Sequence, residues 1–118
     1  MSETPPTVAD FFRAMQAGSA AAENMESLFR EDATYVEPFS GQPVTHNGKS
    51  AIMAAMRQGW QNPLPDMTIS LDRVDVVGEQ VTVAWTCRSP GLPGGEGHGV
   101  NLFTLKDGKI SRLETRFA

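Results

Sequence analysis

The segment Tyr35-Val36-Glu37-Pro38-Phe39 holds the residues best placed to do chemistry. In an extended strand alternate side chains share a face, so Tyr35, Glu37 and Phe39 project together. A carboxylate between two aromatics has two readings: a charge on an exposed strand edge, or a group lodged in an apolar pocket. In a pocket, lost hydration disfavours the ionised form and moves a carboxyl toward the range useful to a general base. Other chemistries find less support. Cys87 is the single cysteine, so no internal disulfide is available, and without an identifiable basic neighbour it reads as a small buried hydrophobe. His46 and His98 lack ligand spacing, and no HExxH, CxxC or EF-hand pattern occurs, so neither a metal nor a cofactor is expected.

A chain of 118 residues, 40% of them apolar, has room for one domain, 1–118, around one modest core. Ten Lys plus Arg against fourteen Asp plus Glu leave a net charge of −4, which argues against nucleic acid as a partner. No apolar run approaches the roughly 20 residues that span a bilayer, so no membrane partner is expected. Residues 1–6 read as a flexible leader without a secretory pattern. With a lone thiol, the cytoplasm is the expected compartment.

Three helices and a sheet must position these residues. Thr7 and Asp10 look like a helix N-terminus, and Val8, Phe11, Phe12 and Met15 form one apolar stripe that Gly18 ends. A shorter helix is predicted over Ala20–Phe29, a strand over Ala33–Glu37, a loop through Ser40–Pro43, and a third helix from Asn47-Gly48 burying Ile52, Ala55, Met56 and Trp60. From Met67 the period becomes two. Ile69 and Leu71 have the opposite parity to Val74 and Val76, which predicts a bulge near Asp72-Arg73. Val81–Cys87, His98–Leu105 and Ile110–Phe117 complete the strands, the last two joined by a tight Asp107-Gly108 turn. Helices first and an antiparallel sheet second make an α+β fold. The late strands show apolar residues on both parities, Val100 and Leu102 as well as Phe103 and Leu105, so a homodimer is expected to cover the outer face.

The block from Asp32 to Trp60 resembles bacterial Δ5-3-ketosteroid isomerases: Ala33-Thr34-x-x-Glu37-Pro38-Phe39, then Gly41-Gln42-Pro43, then a glycine-opened helix ending Met56-Arg57-Gln58-Gly59. The wider group is the SnoaL-like, NTF2-like (cystatin-like) superfamily. The resemblance implies a cone: three N-terminal helices packed on a curved antiparallel sheet, with a deep pocket. It implies that Glu37 is the base that moves a proton from one substrate carbon to another through a dienolate.

The departures from that pattern are as informative. Phe11 and Phe12 stand where the family has its oxyanion tyrosine, Phe29 and Met56 align with the supporting tyrosines, and Gly99 falls near the protonated aspartate. Asn101 shares the parity of Gly99 and Phe103, so its amide is the leading substitute donor. Trp85 either donates its indole N–H or packs as core. His98 and Arg116 have the outer parity. Phe12, Tyr35, Phe39, Met56, Trp60, Trp85, Phe103 and Phe117 are expected to wall the pocket. Three functions remain in view: an isomerase-like enzyme on a hydrophobic carbonyl compound, a binder of an apolar small molecule, and a cyclase or hydrolase of the same superfamily. The hydrolase type needs an inward Asp-Arg-Asp set, which this sequence does not supply.

Overall fold

The computed structural model describes residues 4–118. Three α-helices, α1 (Pro6–Ala17), α2 (Ala22–Ser27) and α3 (Lys49–Gly59), accompany six strands: β1 (Phe29–Glu37), β2 (Val44–Asn47), β3 (Thr68–Val77), β4 (Gln80–Arg88), β5 (Glu96–Lys106) and β6 (Lys109–Phe117). Of the leader expected over 1–6, residues 1–3 lie outside the described residues and Pro6 already opens α1. Proline suits that first turn, where its missing N–H has no partner to lose. Thr7 therefore does not cap the helix. Its hydroxyl donates instead to the carbonyl of Gly108, tying α1 to the distant β5–β6 turn.

The strands form one sheet in the order β2-β1-β6-β5-β4-β3. The expected all-antiparallel sheet needs correction, because β1 runs parallel to β6 while the other neighbours are antiparallel. The long return through α3 and the β3–β5 meander allows the first strand to lie beside the last in the same sense. The helix order differs too: α1 and α2 precede the sheet, whereas α3 follows β2. Val44–Asn47, between the expected loop Ser40–Pro43 and the expected helix start at Asn47-Gly48, is the edge strand β2. The second helix also ends earlier, since Phe29 opens β1 and is fully buried there.

The bulge falls where parity places it, with the β3–β4 register shifting between Leu71 and Arg73. Ile69, Leu71 and Val74 consequently all pack on the core despite their mixed parity. Asp107 (φ 55°) and Gly108 (φ 77°) take the two positive-φ positions of the tight β5–β6 turn.

The concave face meets α1 and α3. At its narrow end Phe11 touches Phe12, Phe29 and Phe103 edge-to-face at centroid distances of 5.2, 6.4 and 5.3 Å, with Val81, Val83, Ile110 and Leu113 closing around them. Each such side chain contributes about 1.5–3 kcal/mol when fully buried. Toward the other end the helices and the sheet diverge, and the core gives way to a cavity.

Candidate active site

The cavity measures about 960 Å³. Its walls come from the end of α1 (Phe12, Met15), the end of α3 (Met56, Trp60) and positions on all six strands. The Arg88, Glu96, Phe117 and Glu37 ends of the strands all lie on this side. No arginine or lysine lines it among the described residues.

β1 delivers Tyr35 and Glu37 to the inner face, as alternation requires. The Glu37 side chain is 16% exposed and lines the cavity, which settles the choice between edge and pocket. Both of its oxygens are engaged: Oε1 accepts the backbone N–H of Phe39 at 3.0 Å, and Oε2 lies 3.1 Å from His46 Nε2. That histidine was not expected near the site. Residues 44–47 pair antiparallel with β1, placing His46 opposite Tyr35 and its ring 5.9 Å from the phenol ring. The available signal was the turn-forming run Ser40–Pro43 followed by the alternation Val44-Thr45-His46, a hairpin pattern.

A second polar group crosses the sheet. Asn101 is 3% exposed, and its Oδ1 accepts from Trp85 Nε1 at 3.0 Å and from Thr115 Oγ1 at 2.9 Å. With that oxygen occupied by two donors, the amide orientation is set and its NH₂ is the group available to the cavity. Gly99 explains how Trp85 reaches it. A Cβ at position 99 would collide with the indole ring, so the missing side chain there is the space the indole occupies. The acid that the resemblance would place at this position is thus replaced by a tryptophan from the neighbouring strand.

Thr115 also meets the Tyr35 phenol. Burial, reinforced by the neighbouring Glu37 charge, pushes that phenol far above its usual value, so it stays protonated. Burial likewise pushes the Cys87 thiol up, in keeping with a small buried hydrophobe at the cavity wall.

Phe12, Tyr35, Phe39, Met56, Trp60, Trp85 and Phe117 line the cavity as expected from sequence. Phe39 and Phe117 are 55% and 59% exposed and meet edge-to-face at 5.6 Å, forming an aromatic rim. Phe103 must be corrected. It is on the right face but at the narrow end, where Phe11 and Phe12 separate it from the cavity, and it belongs to the core. His98 pairs with Thr86 and Glu96 and also borders the cavity, whereas Arg116 pairs with Glu114 and is not part of the lining.

A curved six-stranded mixed sheet wrapped on helices around an apolar cavity is the NTF2-like architecture. Within it, the chain belongs to the SnoaL-like domain family, which matches residues 8–113. Similar solved structures include a Burkholderia pseudomallei NTF2-like protein of unknown function (20% identity, 100% of this chain and 92% of that one, TM-score 0.80). A Sinorhizobium meliloti protein described as a candidate polyketide cyclase aligns at 22% identity over 96% and 95%, TM-score 0.78. A Catenulispora acidiphila protein with a ketosteroid isomerase-like fold, in complex with trimethylamine, aligns at 17% over 98% and 88%, TM-score 0.76. No curated protein matches the chain significantly.

Proposed function

We propose that the cavity takes a hydrophobic carbonyl compound and that Glu37 transfers a proton on it through an enolate. One observation supports this above the rest: a carboxylate held by two hydrogen bonds at the wall of an apolar cavity whose floor offers an oriented amide donor. Glu37 removes a proton from the carbon next to the carbonyl, and the Asn101 NH₂ donates to the oxygen as negative charge develops there. Such a donor acts only as far as it binds the enolate better than the ketone. Isomerisation and polyketide-type cyclisation share this first step and differ in what the enolate attacks. Hydrolysis of an epoxide finds no support, since no arginine lines the cavity among the described residues.

A second reading, binding without turnover, is favoured by the hydroxyl-free Phe11, Phe12, Phe29 and Met56. Their positions supply no further donors, and a lost oxyanion donor costs on the order of a hundredfold or more in rate. Δ5-3-ketosteroids should therefore bind but isomerise weakly or not at all. The assay follows conjugated enone absorbance for wild type, Glu37→Gln and Asn101→Ala. Weak turnover lost in both variants supports the proton-transfer reading. Binding that survives both, with no turnover on any ketone offered, supports the carrier, and turnover like that of tyrosine-bearing isomerases overturns the donor argument.

As a setting for this function we propose a cytoplasmic homodimer. The half-buried Val100 and Leu102 on the convex face would be covered by a second copy, and a reducing compartment suits the free Cys87.

A further inference from the structure

The Glu37 carboxylate has two partners, and they differ in what they can do with a proton. The backbone N–H of Phe39 can only donate. His46 Nε2, 3.1 Å from the other oxygen, can donate to a carboxylate or accept from a carboxylic acid, depending on which ring nitrogen holds hydrogen. The ring is also wedged in place: it lies against the buried Tyr35, and its strand is registered to β1 at Tyr35–His46. The His46 side chain keeps 21% of its surface exposed, so it bridges the base and water. Arginine and lysine are absent from the cavity lining among the described residues, and Glu37 and Asp66 are its only carboxylates there. His98, the other histidine, also borders the cavity, but its two ring nitrogens are engaged by Thr86 and Glu96 rather than by Glu37. Among the described residues, His46 is the one side chain that hydrogen-bonds the Glu37 carboxylate.

We infer that His46 is the proton relay of Glu37, carrying the hydrogen taken from the substrate out to solvent and bringing a solvent hydrogen back. This rests on the proposed role of Glu37 as base. The C–H bond next to the carbonyl breaks, its electron pair enters the enolate, and the proton lands on Glu37. It then passes from Oε2 to Nε2 of a His46 that holds hydrogen on Nδ1, which becomes imidazolium while Glu37 returns to carboxylate. The imidazolium exchanges with water and returns a proton to Glu37, which protonates the enolate. The balance closes without any further reactant. A sealed carboxylate would hand the same hydrogen back to the substrate; this one exchanges it.

The test uses β-tetralone deuterated at its α-carbons, a fused bicyclic ketone, in ordinary water, with loss of deuterium followed by NMR. Trp60 and Trp85 are the chain's two tryptophans and both line the cavity, so quenching of their fluorescence reads binding independently of exchange. Wild type should wash out deuterium. His46→Gln keeps an N–H for Glu37 but cannot relay, and should slow wash-out about tenfold or more at unchanged quenching. His46→Ala should be equally slow and should recover with added imidazole but not with pyrrole, which has the same shape and no basic lone pair. Wash-out by His46→Gln within twofold of wild type, or equal recovery with pyrrole, overturns the relay while leaving Glu37 as base. Wash-out undiminished in Glu37→Gln, or absent in wild type despite quenching, instead overturns Glu37 as base and the relay with it.

Discussion

Single residues in this chain acquire meaning from the pair or cluster they join. Asn101 is set by Trp85 and Thr115 together, so Thr115→Val should free the amide to rotate, weaken ligand binding and cost about 1 kcal/mol of stability, read by denaturant titration and tryptophan quenching. Gly99 is small because the Trp85 ring lies over it. Gly99→Ala should displace the indole, shift its fluorescence to the red and destabilise the fold by about 1–3 kcal/mol. Tyr35 is the chain's only tyrosine, so phenolate absorbance reports it alone. Its value is raised by burial and then by the Glu37 charge, so the folded state holds its proton where the unfolded chain loses it. Its contribution to stability is complete below the ordinary phenol value of about 10 and is lost as pH rises from there toward the folded value. Thermal unfolding across that alkaline range should show the loss in wild type and a smaller one in Tyr35→Phe.

Elements matter through register. The bulge at Asp72 lets β3 present Ile69 and Leu71 on one side of it and Val74 on the other to the same core. Deleting Asp72 restores strict alternation and must turn one of those groups outward, so the variant should lose cooperative unfolding in calorimetry. Strand β2 is only four residues long, yet it brings His46 beside Glu37. A site partner on so short an edge strand depends on the β1–β2 pairing, because that pairing alone sets which of Thr45, His46 and Asn47 faces inward.

At the scale of the whole molecule, the same sheet works on both sides. Its concave side splits into a packed narrow end and an open end with the cavity. Its convex side combines the half-buried Val100 and Leu102 with a charged ladder, in which Arg116 and Arg112 hydrogen-bond Glu114 and hold its carboxyl below the usual range. A self-paired convex face should give a particle near twice 12.8 kDa by light scattering at micromolar concentration. A clean monomer would remove that role for Val100 and Leu102.

Much of this was legible in the sequence because it follows from local rules. The helical stripe of α1, the bulge at Asp72-Arg73, the Asp107-Gly108 turn and the shared face of Tyr35 and Glu37 rest on side-chain period and backbone sterics, which act over a few residues. Three features did not follow from such rules. The parallel pairing of β1 with β6 joins segments almost eighty positions apart. The depth of Phe103 depends on which helix residues arrive above it, since period assigns a face but not a level along the cone. The contact of His46 with Glu37 needs a hairpin to close across an irregular loop. Each is a choice among long-range packings that local sequence permits equally, and burial of the shared apolar core decides between them.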